Sequence, residues 1–135
     1  LDIVREEGVA LERVVMGHCD DLVYEVGLLY ELLDRGVYVA FDNFGRELEV
    51  VTQSRTSLIA QAIPGIVEKG YLDRILISQD VCYKMSLKAY GGFGYTFLLQ
   101  QFIPGLKALG VTGSQIDTMM IDNAKRILAF VPPQP

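Results

Sequence analysis

The chain has one histidine, His18, and it stands in "VVMGHCDD", directly after a run of β-forming apolar residues and directly before a cysteine and two aspartates. An imidazole in that position is either a satisfied histidine at a strand end or a ligand on the rim of a site. Asp80, in "RILISQD", and the pair Asp42 and Asn43, in "VYVAFDNF", close two further apolar runs in the same way. Imidazole and carboxylate together suit zinc or manganese and can orient or deprotonate a water. One histidine and a few carboxylates are nonetheless fewer than the three protein ligands that a catalytic zinc usually takes, and no second histidine exists.

The elements that would bring these residues together follow from the apolar spacing. The three runs begin at residues 13, 37 and 74 and show no clean alternation, as expected of parallel strands covered on both faces. Between the first two, Leu22, Val26, Leu29 and Leu33 recur at helical spacing, with Gly36 as a natural stop. Between the second and third lies another helix-like stretch, with Pro64 and Gly65 predicting an irregular or kinked point. The pattern is β-α-β-α-β. In such folds ligands collect at the carboxyl ends of the strands, and His18, Asp20, Asp21, Asp42, Asn43 and Asp80 all fall there. Helices are expected in "YTFLLQQFIPGLKALG", with Phe97, Leu98 and Leu106 facing inward, and in "TGSQIDTMMIDNAKRILAF", where Ser114 and Asp117 fit a capping box. The tail "VPPQP" reads as unstructured.

Composition narrows the function classes. The 135 residues suffice for one compact unit, and half are apolar. A net charge of -5 with only 12 scattered Lys and Arg offers no field for a phosphate backbone, so no nucleic-acid partner is expected. Neither a membrane span nor a signal peptide is evident, which predicts a cytoplasmic protein without a membrane partner. Cys19 and Cys82 form no CxxC pair and are expected to be reduced and buried. Asp20, opening "DDL", reads as a helix N-cap, and Asp21 could serve the same end. Asp42, inside an apolar run, reads first as structural and hydrogen-bonded near the rim, and second as substrate-facing. Asp80 alone could be a turn or cap carboxylate. The glycines of "YGGFGY" lack the phosphate-loop pattern and would let a long loop turn, where Tyr90 and Tyr95 could line a substrate pocket.

Four stretches together, "RVVMGHCDD", "LLDRGVYVAFDNFGRE", "ILISQDVCYKMSLKAYGGFGYTFLLQQFIPGLKALGV" and "IDNAKRILAF", resemble the C-terminal part of the phosphotriesterase family of the amidohydrolase superfamily. Within it, "FDNFGRE", "SQDVCYK" and "YGGFGY" are most similar to the phosphotriesterase-related branch. The resemblance covers nearly the whole chain, in order and spacing. It implies an α/β fold in which residues 1–135 are strands six to eight, with their helices, of a (β/α)8 TIM barrel whose N-terminal strands are absent. It implies a metal-dependent hydrolase acting on a small-molecule ester, lactone, amide or phosphoester through a hydroxide bridging two divalent ions, with zinc the expected metal. By the resemblance, His18 is a ligand of the more exposed metal. Asp80 is a ligand of the more buried metal and takes the proton from the hydroxide, and Asp21 helps carry that proton away. Phosphotriesterases place a histidine in that relay where this chain has Asn43, which cannot pass a proton, so a substrate class other than organophosphates is expected.

The family's remaining ligands, a histidine pair on strand one, a carboxylated lysine or glutamate on strand four and a histidine on strand five, have no counterpart here. A barrel of this kind takes roughly 250 residues. The isolated chain is therefore expected to lack appreciable activity. The competing expectation is an inactive fragment or interaction module that forms homo-oligomers through its unpaired strand edges.

Overall fold

The computed structural model describes residues 1–45 and 54–130; the tail 131–135, expected to be unstructured, and residues 46–53 lie outside them. Three parallel strands, β1 (Val15–Met16), β2 (Tyr38–Phe41) and β3 (Ile75–Ile77), form a sheet in the order β1-β2-β3. Val15 pairs with Tyr38 and Met16 with Val39, and on the other edge Val39, Ala40 and Phe41 pair with Ile75, Leu76 and Ile77. β2 is central and all four of its residues are buried, which explains its unbroken apolar run.

A short helix, α1 (Asp2–Glu6), precedes the sheet. The connection from β1 to β2 differs from the single long helix that the leucine spacing predicts. A 3₁₀ segment, Cys19–Tyr24, comes first, and α2 (Val26–Asp34) follows, burying Leu29 and Leu33 while Val26 stays exposed. Gly36 ends the helix with φ 83°, a conformation that side-chain-bearing residues disfavour. The next connection holds α3 (Arg55–Glu68), which starts at the Ser54 hydroxyl cap and runs unbroken through Pro64. Its Ile59, Ala60, Ile63 and Ile66 pack inward.

After β3, a loop with 3₁₀ turns at Lys84–Ser86 and Lys88–Tyr90 leads to a π-helical turn, Leu98–Phe102, and α4 (Ile103–Ala108). Leu98 and Leu106 are buried as expected, and Phe97 packs partly against the core. Pro104, which has no N–H to offer the preceding turn, sits just after the π-helical register shift. The last helical stretch is α5 (Gly113–Asp117), a second π-helical turn (Thr118–Asp122) and α6 (Asn123–Leu128).

Its capping box is not Ser114 with Asp117. Thr112 accepts from the Gln115 amide at 3.2 Å and Gln115 returns its side-chain oxygen to the Thr112 amide at 2.8 Å. An N-cap must be extended, as Thr112 is at φ -74° and ψ 158°, whereas Ser114 is already inside the helix.

Candidate metal centre

The site is built from the three strand ends. Beyond Met16 the chain turns at His18, whose backbone is left-handed at φ 55° and ψ 38°. That turn aims the backbone amide and the ring Nδ1 of His18 at one carboxylate: the amide donates to Asp42 Oδ2 at 3.1 Å and Nδ1 lies 2.7 Å from Asp42 Oδ1. Asp42 follows β2 and its side chain is only 12% exposed, whereas that of His18 is 66% exposed. The ring is thus anchored through Nδ1 and presents Nε2 outward. The hydrogen bond to Asp42, then the charge of Asp42, push the His18 pKa above its ordinary 6.5; the charges of Asp80 and Asp20 add to this, against desolvation.

Asp20 is not the helix cap expected of it. Its carboxylate is buried and accepts the Asn43 amide at 3.0 Å, the Asp42 amide at 3.4 Å and the Asn43 side-chain Nδ2 at 3.1 Å. These amides emerge where β2 ends and have no ladder partner, so the carboxylate completes the strand end. Asp42 keeps the structural place first assigned to it.

Asp80 ends the run after β3 in the same left-handed region, at φ 43°. Among the described residues, His18 and Asp80 are the only residues other than glycine with positive φ. Such a backbone costs free energy and persists where surrounding structure enforces it, most often at functional sites. Beside it, the Gln79 side chain donates to the Gly94 carbonyl and ties the long loop to the strand end. Asp21 is exposed and paired with Arg55 of α3 at 2.9 Å. The loop after β1 is thereby fastened to the helix after β2.

The donor set suits a divalent cation in part. An imidazole anchored at Nδ1 offers Nε2 as a ligand, and Asp80 contributes its negative field to the same ring. Among the described residues no group of three or more histidine, cysteine or carboxylate side chains converges as a complete metal site. The residues fit a contribution to a centre rather than a whole one.

One further expectation changes. Cys19 is buried, but Cys82 is exposed. Tyr90 and Tyr95 are exposed and do not line the cavity of about 330 Å³ between α3 and α4, whose walls include Gln61, Phe93, Phe97, Gln101 and Phe102. None of His18, Asp42 and Asp80 lines it either. Sequence reasoning left the grip of Asp42 on His18 and the Asp21–Arg55 pair unseen, because each joins residues at least 24 positions apart.

With this arrangement in view, comparison with known proteins is decisive. The sequence profile of the phosphotriesterase family matches residues 1–128. The chain belongs to the phosphotriesterase family. Among similar proteins, the N-acetyltaurine hydrolase of Danio rerio is 34% identical over 134 residues, which are 95% of this chain and 38% of that protein. A resiniferatoxin-binding protein from Rhodobacter sphaeroides superposes with a TM-score of 0.85 at 35% identity, covering 93% of this chain and 36% of that one. The phosphotriesterase homology protein from Escherichia coli, solved with phosphate in its active site, gives 0.80 at 30% identity, covering 93% and 41%. The structural relatives are TIM barrels, and this family member spans roughly two-fifths of their length.

Proposed function

We propose that this chain is the part of a metal-dependent hydrolase barrel that carries strands six, seven and eight, and that it supplies two of the ligands of a divalent metal centre. The observation that carries the reading is the shared geometry of His18 and Asp80: two strand ends of one parallel sheet, both left-handed, with the His18 ring anchored through Nδ1. His18 would bind through Nε2 and Asp80 through its carboxylate. Bound divalent ions, zinc being the expected pair, would polarise the scissile bond and lower the pKa of an attacking water.

The chain's own groups then have defined tasks. Asp80 would accept the proton of the attacking water, while Asp21, paired with Arg55 at 2.9 Å, holds the rim segment after β1 against α3. Asn43 holds no proton that it can pass on, and its side chain is committed to the carboxylates of Asp20 and Asp42. The substrate class is an ester, lactone, amide or phosphoester. The Danio rerio relative's name specifies an amide, and the phosphate in the Escherichia coli relative fits a site that takes a tetrahedral oxyanion.

The test is hydrolysis of a panel of esters, lactones, N-acyl amides and phosphoesters by an intact barrel containing this segment, before and after chelation. Turnover that chelator abolishes, that zinc restores and that His18→Ala and Asp80→Ala each eliminate supports the reading. Metal-independent turnover, or full activity in either variant, contradicts it.

A further inference from the structure

Four polar side chains at the ends of β1 and β2 form a network whose hydrogen-bond inventory closes in only one way. His18 Nδ1 lies 2.7 Å from Asp42 Oδ1 and 3.1 Å from Asn43 Nδ2. A neutral imidazole nitrogen either donates or accepts, so it cannot satisfy both neighbours. Asn43 Nδ2 has two hydrogens and two carboxylate oxygens within reach, Asp42 Oδ1 at 3.1 Å and Asp20 Oδ2 at 3.1 Å. With both hydrogens spent there, Nδ1 must carry a proton and give it to Asp42. The opposite tautomer would set the Nδ1 lone pair against a carboxylate oxygen at 2.7 Å.

We infer that Asp42 is the positioning residue that fixes His18 in its Nδ1–H tautomer, leaving the Nε2 lone pair outward, and that Asp20 acts one step behind it. Asp42 grips His18 at two points, the backbone amide and the ring, so it sets both the left-handed turn and the ring plane. Asp20, buried and gripping both the Asp42 and Asn43 amides and the Asn43 side chain, fixes the strand end that carries Asp42. Asn43 is the bridge between the two carboxylates. Its place in the chain's chemistry is to supply two N–H donors, which a histidine there could not do from one nitrogen.

The inference rests on the reading of His18 as a ligand, since an outward Nε2 lone pair matters only if something binds it. Its test is independent of that reading, because it needs no metal and no substrate. His18 is the only histidine in the chain, so ring-¹⁵N labelling reports on this residue alone. In the metal-free 135-residue chain at about pH 9, where an imidazole is neutral, long-range ¹H–¹⁵N correlation distinguishes the two tautomers. The expected result is Nδ1–H in roughly tenfold excess or more, the bias of one charge-assisted hydrogen bond. Asp42→Asn is expected to shift the ring predominantly to Nε2–H. Asp20→Asn, which leaves the His18–Asp42 pair chemically intact, is expected to reduce the bias without reversing it. A wild-type ring that is mainly Nε2–H overturns the inference whatever the variants do, including any variant that does not fold. A bias unchanged in Asp42→Asn also overturns it, and one unchanged in Asp20→Asn removes Asp20 from the network's task.

Discussion

His18 and Asp80 leave β1 and β3 in the same left-handed backbone conformation, at φ 55° and 43°, and among the described residues no other residue except glycine does so. Two strained turns at the same end of one sheet point two metal-competent side chains out of a parallel α/β layer. That relation gives the family membership a local physical meaning.

The charge surrounding His18 makes the chain's stability depend on pH. Its folded pKa is raised above 6.5, chiefly by the hydrogen bond to Asp42, so the stabilisation from the charged pair is fully present below 6.5 and is lost as pH rises through the raised value. The thermal midpoint of the wild type relative to His18→Gln is expected to be higher at about pH 5.5 than at about pH 9. A difference that is the same at both values would contradict this. If His18 is a ligand as proposed, metal affinity is expected to run the other way, rising across the same interval, because a metal binds the neutral ring.

The two thiols should differ in reactivity. Burial, the first cause, raises the Cys19 pKa to about 11, and its Sγ donates to the Met16 carbonyl at 3.2 Å, whereas Cys82 is exposed. Alkylation of the native chain near neutral pH, followed by peptide mass mapping, should modify Cys82 first and leave Cys19 protected until denaturant is added. Equal rates would show that Cys19 is not held as described.

The cap of α5 gives a stability prediction with a magnitude. Thr112→Ala removes the acceptor of the Gln115 amide and should cost about 1 kcal/mol in urea unfolding. Ser114→Ala, which removes the hydroxyl first suspected of capping, should cost a few tenths at most. The reverse ranking would make Ser114 the cap.

Much of this was legible in the sequence. Apolar runs broken by polar residues located the strand ends, and the motifs around His18 and Asp80 located the family. Other features were not legible, because they depend on contacts across the sheet. Asp20 resembled a helix cap since it precedes a helical stretch, yet its partners are the amides of Asp42 and Asn43, brought alongside only by parallel pairing of β1 and β2. Cys82 reads as a packing residue because no basic neighbour in sequence would make its thiol reactive, but the loop after β3 leaves it in solvent. Left-handed turns at His18 and Asp80 carry no glycine or asparagine to announce them.

The sheet itself makes a prediction about association. Among the described residues β1 and β3 are each hydrogen-bonded to β2 alone, and Val15 on β1 is 41% exposed. Open apolar edges invite pairing with another chain. Sedimentation velocity of the 135-residue chain is expected to show concentration-dependent self-association that Val15→Lys weakens. A monomer at every concentration would show that these edges are otherwise protected.

The measurement closest to the central claim is an anomalous-scattering crystal structure of an intact, zinc-loaded barrel containing this segment. The expected result is two zinc ions, one about 2.0–2.2 Å from His18 Nε2 and the other about 2.0–2.2 Å from an Asp80 carboxylate oxygen, with His18 Nδ1 still on Asp42. Zinc bound elsewhere, or held by neither His18 nor Asp80, would contradict the account.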